Sequence, residues 1–377
     1  MKEYSVWLSM VKHVSNRKKY QLLAAFGSAE AVYRASSVEL ASEVSGLTSK
    51  DIEALSDDSM EEAEDICRAC RRIGAEVIDP CDDIYPALLR HISDPPAVLY
   101  VRGDMPDMEN SIAVGIVGQR KATVSGMKNA SSIAYELSKN GIIVVSGLAA
   151  GIDGAAHRGA LDGGSPTVAV LGTAIDKCYP AENAGLMRRI MENGAVISEY
   201  PPGSRTYSGS FLMRNRIISG MCRGLLVVEA REKSGSLVTA RRAAEQDRDI
   251  FAVPGPIDSD DYVGTNGLIK DGAAVVTSAA DILGAYGYVP EKRAARPARQ
   301  KREPDMPSET PGASRGEAAI PEGPDGEIIK AIGKIAHIDE IADRTKMETG
   351  ELLARLTMLE IQGMVVQRPG NYFEIKR

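Results

Sequence analysis

Residues 144–161 read VVSGLAAGIDGAAHRGAL. With Gly141, Ile142 and Ile143 ahead of it, the apolar run is long enough for one buried β-strand that ends at Ser146-Gly147. Two more glycines follow, Gly151 and Gly154, and Asp153 sits where a helix N-cap belongs, ahead of Ala155-Ala156-His157. Strand, glycine turn, Asp cap and helix together aim backbone N–H groups and a helix N-terminus at an anion. Ser146, Gly147, Gly151 and Asp153 are therefore the first candidate ligand contacts.

The flanking segments repeat the plan. IAVGIVG at 112–118 leads to a basic turn and a helix over 127–139, and TVAVLG (167–172) and LLVVE (225–229) read as further strands. Strand candidates fall at 112–117, 142–146, 167–171, 195–198, 224–229, 249–253 and 274–277, with helices between them. Such alternation predicts an α/β fold, an extended Rossmann-like, doubly wound and mostly parallel sheet with its ligand beyond the carboxyl ends of the strands.

A chain of 377 residues exceeds one comfortable core, so several domains are expected. The start lacks the apolar stretch of a signal peptide, and no run approaches the ~18 apolar residues of a membrane span. Five irregularly spaced cysteines suit a reducing cytoplasm better than a disulfide framework. A net charge of −7 confines any nucleic-acid contact to a local patch. Aromatic residues are only 5% of the chain, so backbone grip is expected above extended base stacking.

Residues 1–75 read as a small helical domain, SAM-like or helix-hairpin-helix-like. Its Arg17-Lys18-Lys19 run reads as a solvated helix end before it reads as a phosphate contact, and the Cys67/Cys70 pair as ordinary helix cysteines. The main domain is expected over 76–289, beginning with a proline-rich connector (76–110) that holds one short strand. A flexible, charged linker is expected over 290–322. Residues 323–377 read as a winged helix, with helices at 328–335, 338–345 and 349–362 and a two-stranded wing. Its third helix carries Glu348, Glu351 and Glu360 against Arg355, the wrong sign for a major groove, which favours a packing or protein-contact role.

Three stretches carry chemistry. Gly115-Ile116-Val117-Gly118-Gln119-Arg120 is not the dinucleotide fingerprint, and the following strand ends in Ser146-Gly147 rather than an acid, so the motif does not support a nicotinamide site. Arg120 and Lys121 above that strand end suit phosphate. Arg214, Asn215 and Arg216 cluster on the helix after strand 195–198. They read either as a phosphate fork or as a brace for Glu199 and Glu229. Ser234, Gly235 and Ser236, with Thr239 one turn on, form an anion cup at a helix start. Asp153 and His157 share a helix face, but capping explains them more simply than acid–base chemistry. No nucleophile elbow or Walker loop is present, no cofactor is implied, and no metal set is completed.

These motifs resemble the DNA-processing protein A family (DprA, also called Smf). The resemblance rests on VGQR (117–120), SGLAAGIDGAAHRGAL (146–161), VAVLGTAIDKCYPAEN (168–183), ISEYPPG (197–203), FLMRNRIISG (211–220), VVEAREKSGSLVTARRAAEQDRDIFAVPG (227–255) and GTNGLIKDGA (264–273), in that order. It implies a non-catalytic protein that holds single-stranded DNA in a basic pocket at the strand ends, protects it and loads the RecA recombinase during natural transformation. It further implies a homodimer joined near Asn266, Leu268 and Ile269. Arg120 matches the motif arginine of the pocket, and Lys177 is a second phosphate contact by the same resemblance. Gln119 stands where the family usually has a small residue.

The competing class is a nucleotide sensor or nucleoside-monophosphate phosphoribohydrolase on a related fold. Its PGGxGTxxE loop would correspond to Ser234–Thr239 here, with Arg242 where the catalytic Glu would fall, which disfavours cleavage but not nucleotide binding.

Overall fold

A computed structural model describes residues 2–57, 59–288, 323–333, 335–361, 364–368 and 372–375. The expected linker at 290–322 lies outside the described residues. The chain divides into two compact units, Met1–Ala294 and Ala295–Arg377.

In the first unit nine strands form one sheet: β1 (Glu76–Ile78), β2 (Leu99–Gly103), β3 (Ala113–Val117), β4 (Ile143–Ser146), β5 (Thr167–Leu171), β6 (Gly194–Ser198), β7 (Gly224–Val227), β8 (Asp249–Ala252) and β9 (Ala274–Val275). Their order is β1-β2-β6-β5-β4-β3-β7-β8-β9. From β6 to β9 every neighbouring pair is parallel, whereas β2 runs antiparallel to both β6 and β1. The proline-rich connector thus yields two strands rather than one. Pro80, Pro86, Pro95 and Pro96 fall between β1 and β2, where no ladder donor is needed.

The chain winds outward from β3 in both directions, through β4, β5 and β6 on one side and β7, β8 and β9 on the other. The carboxyl end of β3 is therefore the topological switch point, where helices diverge and a crevice opens. Period-two alternation covers both sheet faces. Ile143 and Val145 of β4 pack with Ile217, Ile218 and Ala240 on one face, while Val144 packs with Ala130, Ala134, Leu137 and Ala156 on the other.

Among the described residues six helices precede the sheet, from Lys2–Met10 to Glu61–Arg72. Side-chain oxygens of Ser15, Ser28, Ser36 and Thr48 cap four of them, satisfying N–H groups that the short helices leave over. Trp7, Leu22, Leu23 and Leu40 share one continuous core with Tyr100, Leu171, Ile190 and Val196. In the basic run there, Lys18 and Lys19 are structural, and Arg17 is exposed as a solvated helix end. Lys19 is buried and donates to the Ser9 carbonyl at 2.5 Å, and Lys18 pairs with Asp51 at 2.7 Å. Cys67 and Cys70 are buried helix residues.

The second unit has helices Pro324–Ile332, Ile338–Thr345 and Thr349–Ile361, with strands β10 (Ile335–His337), β11 (Val365–Arg368) and β12 (Tyr372–Ile375) in the order β10-β12-β11. The expected two-stranded wing forms as β11 and β12, and among the described residues a third strand, β10, joins it through β12. Gly333, at φ 65°, ends the first helix early and frees Ile335–His337 to pair with β12. Ile328, Ile332, Ile341, Leu356 and Phe373 form the core of a winged helix.

Candidate anion site at the strand ends

After β3 the chain turns through Gly118 to Thr123 into the helix Val124–Lys139. The turn is fixed by Glu229, which is fully buried. Its carboxylate accepts from Gln119 Nε2 at 3.0 Å, Thr123 N at 3.1 Å and Thr123 Oγ1 at 2.7 Å. A buried carboxylate is costly unless its lone pairs are filled, and here turn and helix start fill them. Gln119 is thus a strut, and also donates to the Asp261 carbonyl at 3.1 Å. Arg120 and Lys121 remain exposed.

After β4 the loop is tighter. Ser146 Oγ donates to the Ile116 carbonyl at 2.6 Å, joining the ends of β4 and β3 rather than facing a ligand. Leu148 adopts φ 57°, a strained value for a side-chain-bearing residue. Asn183 Nδ2 supports it, donating to the Leu148 and Ala149 carbonyls at 2.9 and 3.2 Å. Gly151, at φ 76°, brings the loop against the β3 turn, where a Cβ would stand 2.3 Å from the Gln119 carbonyl. The resulting helix, Ile152–Gly163, starts before Asp153, so Gly151 and not Asp153 is the cap residue. The Asp153 carboxylate instead accepts from Gly147 N at 3.1 Å, and burial raises its pKa above the ordinary carboxylate range. His157 is fully buried against Thr167 Oγ1 at 2.9 Å, and burial lowers its pKa to about 3. It is a neutral core residue.

The helix Ser208–Gly220 splits the Arg cluster between its two sides. Arg214 turns to the crevice, where Nη1 donates to the Gly147 carbonyl at 2.8 Å and to the Val170 carbonyl, and Nε donates to Asn215 Oδ1 at 3.1 Å. Burial pulls its pKa down to about 10. Arg216 turns the other way and is locked to Asp94 at 2.9 Å and Glu199 at 2.7 Å. For Arg216 the brace, not the phosphate fork, is what forms. Lys177 donates to the Ser204 carbonyl at 2.8 Å, outside the crevice lining.

On the far side Ser234 caps the helix Gly235–Glu245, accepting from Ser236 N at 3.3 Å, with the two hydroxyls 2.7 Å apart. Thr239 Oγ1 donates to the Gly235 carbonyl at 3.4 Å. The three walls enclose a cavity of about 430 Å³, to which Arg120, Asp153, Arg214, Asn215, Ser234, Gly235, Ser236 and Thr239 all contribute. Gly147 lines a smaller recess beside it, and Lys121, Ser146, Gly151, Lys177 and Arg216 line neither. Among the described residues no carboxylate forms an ion pair with Arg120, Arg214 or Lys233, all of which line the cavity, whereas Arg231 is neutralised by Asp261 at 2.7 Å.

Two aromatic residues complete the mouth. The Arg120 guanidinium lies over Phe211, 5.2 Å from the ring centroid, and Phe211 lies 5.3 Å from half-exposed Tyr179. Sequence reading does not single them out. For Phe211 a signal exists, since a residue three before Arg214 shares its helix face. For Tyr179 and Asn183, brought in by the turn after β5, no local pattern does.

Elsewhere, Leu268 and Ile269 are part-buried on the helix Val263–Lys270, and Leu268 borders a groove of about 770 Å³ beside β8. Asn266 is committed internally, exchanging bonds with Gly255 N and O at 3.2 and 3.1 Å. Among the described residues no His/Cys/Asp/Glu group could hold a metal ion, and no helix is long and apolar enough to cross a membrane.

Comparison with known proteins agrees with this architecture. Residues 76–287 match the family described as DNA recombination-mediator protein A, and residues 312–371 match the DprA winged helix domain. The chain is 38% identical over 318 residues to Protein Smf of Synechocystis sp., covering 79% of this chain and 80% of that one. It is 42% identical over 207 residues to DNA processing protein DprA of Streptococcus pneumoniae, covering 55% and 73%. The X-ray structure of the Streptococcus pneumoniae protein superposes with TM-score 0.66 at 33% identity, over 75% of this chain and 98% of that one. A structure describing the single-stranded DNA binding mode of DNA processing protein A from Helicobacter pylori superposes with TM-score 0.51 at 30% identity, over 56% and 95%. By sequence over most of its length and by fold, the chain belongs to the DNA recombination-mediator protein A family.

Proposed function

We propose that the chain is a non-catalytic, cytoplasmic single-stranded DNA-binding protein that holds the sugar-phosphate backbone in the cavity at the β3 switch point. One observation carries this reading: Arg120, Arg214 and Lys233 converge with a helix N-terminus, and among the described residues no carboxylate pairs with them. Cations outside ion pairs beside oriented N–H groups attract an anion, with the Asp153 carboxylate coupled electrostatically to Arg214 and Arg120. Arg120 and Ser234–Ser236 are the direct contacts, while Arg214 builds the floor. The relative from Helicobacter pylori is described as binding single-stranded DNA, which supports the same ligand class. Protection of incoming strands and loading of RecA during natural transformation extend the reading by family membership.

A homodimer fits the apolar edge beyond β8. Leu237, Ile250, Val263 and Leu268 border the groove there, and Val263 and Val275 are about half exposed. A nucleotide-cleaving enzyme fits less well, because Asp153, the one carboxylate lining the cavity among the described residues, is buried and bound to the Gly147 N–H.

The decisive measurement is a mobility shift with oligo-dT and with a duplex of equal length. Retention of the single strand well ahead of the duplex is expected. Equal retention of both, or release of free base from a nucleoside monophosphate, would overturn the reading.

A further inference from the structure

Among the described residues four cationic side chains line the cavity: Arg120, Arg214, Arg231 and Lys233. Of these, Arg231 stands in an ion pair. Its Nε and Nη2 both lie 2.7 Å from Asp261 Oδ1, with the Arg231 side chain 61% exposed and that of Asp261 only 21%. The pair ties the segment after β7 to the turn Asp260–Tyr262 after β8.

An exposed pair by itself is worth at most about 1 kcal/mol and would yield to a phosphate. Here the acceptor is held in place. Gln119 Nε2 donates to the Asp261 carbonyl at 3.1 Å and to Asp261 Oδ1 at 3.3 Å, and also to Glu229 Oε1 at 3.0 Å. All three partners are acceptors, so the Gln119 group facing them must be its amide N–H₂. The Asp261 carboxylate is thereby fixed near the buried Glu229 carboxylate, with Asp260 beside it in the chain. Arg231 is attracted by all three acids. Swinging it onto a phosphate would leave like charges facing one another without their cation, which opposes the move.

We propose that Asp261 is a latch on Arg231: it withholds one cation from the unpaired strand and sets the grip of this chain below what the cavity lining could deliver. The proposal rests on the strand-binding reading above. It adds to that reading a pair of affinity-setting residues that do not touch the strand. Asp261 is a positioning residue, acting through Arg231 and kept in place by Gln119.

The test is oligo-dT binding across a salt series, by fluorescence anisotropy, on the full chain and on Asp261→Asn, Arg231→Ala, their double variant and Asp260→Asn. Asp261→Asn keeps the side-chain shape and the backbone carbonyl that Gln119 holds, and removes the charge. It should tighten oligo-dT about threefold to tenfold at low salt and steepen the log–log slope by about 0.7, one added phosphate contact. Arg231→Ala should leave affinity within about twofold and the slope unchanged, and the double variant should fall back to the parent. Asp260→Asn removes a charge one residue away and should move the slope by less than about 0.2. A slope that Asp261→Asn does not change would sink the latch and leave strand binding standing. A gain that survives in the double variant, or that Asp260→Asn matches, would equally sink it, because loss of negative charge alone would then suffice. A shallower slope for Arg231→Ala alone would overturn it by placing Arg231 on the strand already. Failure of the parent to bind oligo-dT would sink the strand-binding reading, and the latch with it.

Discussion

The Arg214 guanidinium occupies the space that a side chain on Gly147 would need. Nη1 donates to the Gly147 carbonyl at 2.8 Å, and a Cβ on Gly147 would stand 2.5 Å from Nη2. The guanidinium is itself fixed by the Val170 carbonyl and Asn215, so it cannot swing aside. Gly147→Ala should therefore cost about 1–3 kcal/mol, as overpacking against a buried, bonded group does. Urea unfolding measures it, and a loss below about 1 kcal/mol would mean that Arg214 moves freely.

Arg120 is exposed and unpaired by carboxylates, so its removal should spare the fold and cost binding. Arg120→Ala should flatten the salt dependence of oligo-dT affinity by about 0.7 in log–log slope, one phosphate contact. An unchanged slope takes Arg120 out of the ligand site.

Arg216 predicts the reverse. With its guanidinium held by Asp94 and Glu199, Arg216→Met strands two partly buried carboxylates. A loss of about 2–3 kcal/mol of stability is expected, below the full cost of a broken buried pair because Asp94 is about one-third exposed. The salt slope should not change, and a drop comparable to that of Arg120→Ala would return Arg216 to the ligand.

His157 sets an acid limit. Its folded pKa is lowered from 6.5 to about 3 by burial, so between those values the unfolded chain binds a proton that the folded chain refuses. Stability contributed by keeping this ring neutral is complete above about pH 6.5 and is lost progressively as pH falls toward 3. His157→Gln should remove roughly 2–4 kcal/mol of that loss. Parallel stability–pH curves for parent and variant would contradict it.

The winged helix is expected to add little to strand affinity. Its third helix carries Glu351 and Glu360, Glu348 stands just before its first turn, and its Arg355 is paired with Glu351 at 3.1 Å and Asp325 at 3.0 Å. Deleting residues 323–377 should weaken oligo-dT binding less than about tenfold by mobility shift. A larger loss would assign this unit a direct DNA contact.

Much of the site was legible because its parts are local. A glycine turn between strand and helix, a Ser-Gly-Ser helix start and an Arg on a strand-end turn each announce anion chemistry within a few residues. The Arg214–Arg216 pair was ambiguous for a physical reason. Two residues two apart on a helix face nearly opposite ways, so they could not both reach one ligand, and only packing chooses between them. The strut role of Gln119, the Asn183 support and the Phe211–Tyr179 pair all depend on residues far apart in the chain.

Sequence alone determined the alternation of strand and helix, the winged unit at the end and the kind of ligand sought, because hydrophobic period and turn chemistry act over short range. Tertiary structure decided which of the candidate cations stay unpaired. That depends on where Glu229, Asp94, Glu199 and Asp261 come to rest, and a charge is neutralised by whatever the fold brings within a few ångströms, however distant in the chain.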